Sequence, residues 1–163
     1  MGMDMVTFIL NWYGPYTLDD LENEKKSGNG LYLITGKQAY ERQSAIQYCG
    51  ITEGSFYNRI KNHHKKEYVK KEMSFWLGIF TYPKKITRNE LELAEKIIIY
   101  FWQPSLNEKK KISIPKPTTI INQWFKKDET PRYNQCDIYR DLSDVISWDG
   151  KLWRTGNLKV WNE

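Results

Sequence analysis

The sequence predicts a small α/β domain: a central antiparallel three-stranded sheet flanked by helices, followed by a β-rich C-terminal extension. Three observations carry this expectation. Leu31–Thr35 and Ala45–Cys49 are apolar runs separated by the polar stretch Gln38–Ser44, the pattern of a β-hairpin. Phe75–Tyr82 is aromatic and apolar and is stopped by Pro83, which gives a third strand. Thr87 and Glu90 form a Thr-x-x-Glu capping box ahead of an apolar stripe at Leu91, Ala94, Ile98, Phe101 and Trp102, so a helix is expected to about Trp102.

In chain order, residues 5–10 are apolar and lead to Gly14-Pro15, which reads as a turn. Thr17 suits an N-cap, with Asp19 and Asp20 in the first turn and Leu18 and Leu21 on one face of a short helix that ends before Gly28-Asn29-Gly30. Residues 1–28 are therefore expected to form an N-terminal helical embellishment on a domain of residues 29–107. After the hairpin, Ser55 suits the cap of a helix from Phe56 to about Lys66. At about 100° per residue, Phe56, Arg59, Ile60 and His63 share its core-facing side. Residues 108–119 hold lysines and two prolines and are expected to be extended, and Trp124 and Phe125 anchor a short helix. Val145–Trp148 and Lys151–Arg154 flank Asp149-Gly150, a hairpin signal with a type I′ turn. Leu158–Trp161 adds a strand, so residues 108–163 form an extension packed on the same domain. Trp148, Trp153 and Trp161 there suit the core or a contact surface, with core the simpler reading.

The 163 residues fit one domain, and a 15% aromatic share argues for a packed core over disorder. The net charge of +5 suits a polyanionic partner. Lys61, Lys65, Lys66, Lys70 and Lys71 cluster after Arg59, and Lys109, Lys110 and Lys111 follow the Glu95 helix. A lysine run alone reads as a solvated face. Cys49 and Cys136 form no CxxC pair, which points to reduced thiols and a cytoplasmic location and away from zinc. No apolar run approaches the length of a membrane helix, and no secretory signal is visible.

The chemistry-bearing residues fall in one order: Tyr32 in Gly30-Leu31-Tyr32, Tyr48 in Tyr48-Cys49-Gly50, Arg59 and His63, then Glu95, Pro104 and Asn107. Each has an ordinary reading. The tyrosines, expected to face each other on adjacent strands, suit cross-strand packing, and Arg59 suits the surface. Together they make a phosphodiester-cutting set. A carboxylate on an apolar helix face is costly unless paired, by a lysine or by a hard metal such as Mg²⁺ or Mn²⁺. An arginine neutralises phosphate charge, and tyrosine and histidine move protons.

On these residues the chain resembles the GIY-YIG nuclease family, whose paired tripeptides are written here GLY and YCG. The likeness continues through Arg59 and His63 to Glu95, with Pro nine and Asn twelve positions further on, and covers residues 29–107. Leu31 and Cys49 are conservative departures, and Ile51 removes one phosphate contact that a basic residue offers. The resemblance implies a GIY-YIG fold and a metal-dependent endonuclease acting on double-stranded DNA. Tyr32 would be general base or water relay, and Tyr48 would position water or a phosphate oxygen. Arg59 and His63 would act on the phosphate, Glu95 would hold the metal, and Asn107 would support the site or contact phosphate. The long stretch between the tripeptides places Lys37 and Arg42 toward the nucleic acid, and Lys61, Lys65 and Lys66 extend that surface. With no zinc knuckle or helix-turn-helix attached, a restriction-type enzyme is the expectation. A homing or repair nuclease, or an inactive nucleic-acid-binding protein of the same fold, is the alternative. A homodimer is left open.

Overall fold

The computed structural model describes residues 5–26, 28–131 and 143–156. Its frame is one mixed sheet of seven strands in the order β3-β2-β4-β1-β5-β6-β7. The strands are β1 (Val6–Tyr16), β2 (Gly30–Lys37), β3 (Ala45–Thr52), β4 (Lys71–Tyr82), β5 (Thr118–Phe125), β6 (Val145–Trp148) and β7 (Trp153–Gly156). Neighbours are antiparallel except β1 and β5. Three α-helices complete the described residues: α1 (Leu18–Glu22), α2 (Phe56–Lys61) and α3 (Arg88–Trp102), with a 3₁₀ helix at His64–Tyr68. No helix among them is long and apolar enough to cross a membrane.

The expected three-stranded sheet flanked by helices is therefore corrected. Strands β3, β2 and β4 form, but the sheet continues through four more, and strands outweigh helices. Residues 6–16, assigned to a helical embellishment by the sequence, form β1 in the middle of the sheet. Phe8, Leu10, Trp12, Gly14 and Tyr16 are buried while the residues between them are less so, the period of a strand. The Gly14-Pro15 step does not turn the chain. It lies beyond the last β5 partner, Tyr13, and coincides with a register shift against β4, where a proline costs no ladder hydrogen bond. Trp124 and Phe125 end β5 and not a helix, because Thr118, Ile120, Asn122 and Trp124 alternate inward along it. The Trp148↔Trp153 hairpin forms, but four residues connect it where two were expected. The Asp149 carboxylate accepts from the Lys151 and Leu152 amides. The strand expected at Leu158–Trp161, Trp161 itself and Cys136 lie outside the described residues.

The two faces of the sheet carry separate cores. One joins Leu31, Leu33 and Cys49 to Leu91, Ala94 and Ile98 of α3 and to Trp12, Trp124 and Trp148. The other joins Tyr32, Ile34, Phe75 and Leu77 to Leu21 of α1, Phe56 and Ile60 of α2, and Val69. Strand β2 is buried on both sides, which explains its unbroken apolar run. Thr87 makes the expected capping box, and Thr17, expected as an N-cap, makes one with Asp20 as well.

Two glycines of the paired tripeptides are fixed by packing. A Cβ on Gly30 would stand 2.6 Å from the Gly78 carbonyl oxygen and 2.8 Å from the Phe56 ring. A Cβ on Gly50 would stand 2.4 Å from both Cζ and the hydroxyl oxygen of Tyr32. Gly50→Ala therefore overpacks the face under Tyr32 and is expected to cost about 1–3 kcal/mol, read as a lower urea midpoint at unchanged slope. An alanine variant as stable as wild type would refute this packing.

Candidate active site

The candidate residues meet at the outer end of the sheet, where β3 is the edge strand. Tyr32 and Tyr48 project to the face covered by α2, but they are not directly opposed as the sequence suggests. Tyr32 pairs with Gly50, and Tyr48 pairs with Ile34. The rings are diagonal neighbours with centroids 6.1 Å apart, and the missing Cβ of Gly50 gives Tyr32 its space. Tyr32 is fully buried, and its hydroxyl makes no hydrogen bond of standard length. Burial, above all, pushes that hydroxyl well above the ordinary tyrosine range, with Arg59 pulling the other way. Tyr48 is half-buried. Its hydroxyl is raised first by burial and then by the Glu95 charge, and lowered by Arg59.

Helix α2 is shorter than expected. It ends at Lys61 with Asn62 as C-cap, because His63 caps the next segment: its Nδ1 accepts the Lys65 amide at 3.2 Å and starts the 3₁₀ helix. Asn and His are modest helix formers, and the cap outcompetes continuation. His63 nevertheless faces inward. It is 8% exposed, and its ring stands edge-on to Tyr48 at 4.6 Å and to Tyr32 at 5.8 Å. His64 is exposed and stacks on His63. Burial, then Arg59, lowers the His63 pKa to about 4. At neutral pH the ring is uncharged, and with Nδ1 accepting, its proton sits on Nε2. Arg59 is exposed and not core-facing, and has no ion-pair partner among the described residues.

Glu95 enters from the other side of the sheet, on α3. It is 9% exposed, and the Lys110 ammonium pairs with it, the lysine solution to a buried carboxylate. Burial raises the Glu95 carboxyl and Lys110 lowers it, with the upward direction prevailing. Lys110 is the site residue that the sequence did not single out. It belongs to the noted run Lys109–Lys111, but nothing in the run distinguishes its middle member.

Asn107 holds main chain. Its Oδ1 accepts the Cys49 amide at 2.9 Å, and its Nδ2 donates to the Cys49 carbonyl at 3.0 Å. With the Leu106 amide on the Gln47 carbonyl, the 105–107 segment covers the β3 edge and fixes the strand that carries Tyr48. This is a positioning role one step from the chemistry.

The five expected nucleic-acid contacts differ. Arg42 and Lys61 are exposed, Lys61 lying over the Tyr57 ring at 5.4 Å. Lys37 pairs with Glu72 and Lys65 with Glu108, each at 3.0 Å. The Lys66 ammonium donates to the Lys61 carbonyl.

The His63 environment sets a pH dependence. Its folded pKa, about 4, lies below the ordinary histidine value of 6.5, so the unfolded chain binds more protons between those values. Its contribution to stability is complete above about 6.5 and is lost as pH falls toward about 4. Histidine NMR titration should give a His63 midpoint near 4, and His63→Gln should remove that part of the stability slope in urea unfolding. A midpoint near 6.5 would contradict the buried, neutral ring.

Compared with family models, with curated proteins and with solved structures, the chain has no match.

Proposed function

We propose that the chain is a metal-dependent endonuclease hydrolysing phosphodiester bonds in double-stranded DNA, with a chemistry resembling that of GIY-YIG nucleases, most of all the restriction-type enzymes. The observation that carries this reading is the setting of Tyr48. A half-buried phenol lies edge-on to a neutral imidazole, and the opposed charges of Arg59 and Glu95 act on its hydroxyl.

The donor set bears on the metal. Glu95 offers one buried carboxylate that already holds a cation, the Lys110 ammonium. No group of three or more His, Cys, Asp or Glu side chains able to hold a metal occurs among the described residues. One hard oxygen ligand fits Mg²⁺ or Mn²⁺, which keeps most of its waters, and does not fit zinc. Bound at Glu95, such an ion would supply charge neutralisation and a polarised water.

The chain's own residues take the remaining tasks. Arg59, exposed and without an ion-pair partner, receives phosphate oxygens through its planar fork and stabilises the charge that grows there. His63, neutral with its proton on Nε2, donates to a phosphate oxygen. Tyr48 holds the attacking water at its hydroxyl. Tyr32 is sealed beneath it and keeps its proton, so the water-facing role falls to Tyr48. Asn107 holds the Tyr48 strand in place.

One observation favours a second reading, a nucleic-acid-binding protein without catalysis: Glu95 is occupied by Lys110. Incubation with supercoiled plasmid in Mg²⁺ and in EDTA separates the two. Nicking or discrete linear products only in Mg²⁺ support the enzyme, and intact plasmid under both conditions supports the binder.

Glu95→Gln should lower cleavage by about 100-fold or more while duplex affinity in EDTA persists. Wild-type cutting by this variant would end the metal assignment. Tyr48→Phe should lower single-turnover cleavage by a factor of about 100 to 10,000 with little change in melting temperature, and Tyr32→Phe by less. The reverse ranking would return the proton to Tyr32. Replacing Lys61, Lys65 and Lys66 together by Ala should flatten the salt dependence of duplex binding by about 0.9 per lost phosphate contact. An unchanged slope would assign these lysines to the solvated surface.

A further inference from the structure

We propose that the Lys110 ammonium and a divalent cation are alternative occupants of one site on Glu95, so that cation binding releases Lys110 and frees it to hold a phosphate. The inference rests on the metal-dependent reading above and gives it an order of events. Glu95 is held on α3 among buried neighbours, with 11% of its side chain exposed, so its carboxylate is largely shielded from solvent. A cation must therefore stay beside it, because a buried carboxylate left alone is strongly destabilising.

Lys110 is differently placed. It lies between α3 and β5, outside any helix or strand, with its side chain 28% exposed. Its backbone adopts the left-handed conformation, φ +68°, which L residues with a Cβ occupy at a cost. The chain on its C-terminal side is tethered by Gln103, whose Nε2 donates to the Lys111 carbonyl at 2.8 Å. Swinging the partly wet ammonium outward thus needs side-chain rotation only. Glu92, one turn from Glu95, also feels the Lys110 charge, so two carboxylates share this lysine and Arg88. Arg88 also pairs with Glu53, so three carboxylates face two cations, and a doubly charged ion in the ammonium's place balances the remaining charge. The released side chain joins Lys109 and Lys111 and adds its charge to that basic run. By reciprocity, a duplex that takes up Lys110 tightens cation binding by the same factor that the cation tightens duplex binding.

The test uses Mn²⁺ and the full chain. In wild-type protein, acetylation of Lys110, read by mass spectrometry against Lys109 as internal reference, should rise several-fold on adding Mn²⁺. In Glu95→Gln it should already be high and should not respond. Lys110→Met should bind Mn²⁺ at least tenfold more tightly by paramagnetic relaxation titration, and its lowered melting temperature should recover on adding Mn²⁺. If Lys110→Met does not fold, the wild-type acetylation result decides alone. Mn²⁺ binding that leaves Lys110 protected, with equal affinity in Lys110→Met, would overturn shared occupancy and leave the nuclease reading standing. No Mn²⁺ binding by either protein at millimolar concentration would overturn both.

Discussion

Trp12 is the residue on which the continuity of the sheet depends. It is fully buried on β1, and its indole N–H donates to Asn122 Oδ1 on β5 at 2.8 Å. Its ring stacks on Trp124 with centroids 5.8 Å apart. On β4 it lies over Gly78, where a Cβ would come within 2.8 Å of the ring. Asn122 donates onward to the Ser143 carbonyl, and its amide to that of Asp144, just before β6. A core indole left without its acceptor would bear a full desolvation penalty. The strands bearing the candidate site and the C-terminal strands are therefore one body.

Much of the site half was legible in the sequence. The β2–β3 hairpin, β4 stopped by Pro83, and α3 behind its capping box all depend on local patterns of apolar period, cap and breaker. The middle of the sheet was not, although β1 and β5 both alternate. In β1 the alternation runs into Gly14-Pro15, which reads as a stop, and in β5 an inward position is filled by Asn122, which reads as a loop residue. What settles both is the parallel pairing of Val6–Tyr13 with Thr118–Phe125, more than a hundred residues apart, for which no local signal exists. Within the site, residue identity and order were readable, but register was not. That Tyr32 lies opposite Gly50 follows from the strand pairing, and that His63 leaves α2 follows from a side-chain cap that competes with one more helical turn.

The candidate site is assembled from both faces of the sheet, and its position at the edge strand permits this. Arg59 and His63 come from the α2 side and Glu95 from the α3 side, and only β3 and the segment covering it separate the two. Burial acts on four members in one sense, toward the neutral form: Tyr32, Tyr48 and Glu95 are raised and His63 is lowered. The exposed guanidinium of Arg59 and the Lys110–Glu95 pair are the charges that remain. Such a site is poised for a ligand that brings charge of its own.

The Asn107 clamp has a consequence for which substitutions this chain can accept. Asn107 reads only the amide and carbonyl of Cys49 and nothing of its side chain. The Cys49 thiol faces the α3 core, fully buried, with its ionisation suppressed by that burial. Position 49 is thus free to drift among small apolar residues without disturbing its neighbours, while proline, which lacks the amide, is barred. Position 50, beneath the Tyr32 ring, has no such latitude. Adjacent residues of one tripeptide therefore carry opposite tolerances, one set by main chain and the other by the absence of a side chain.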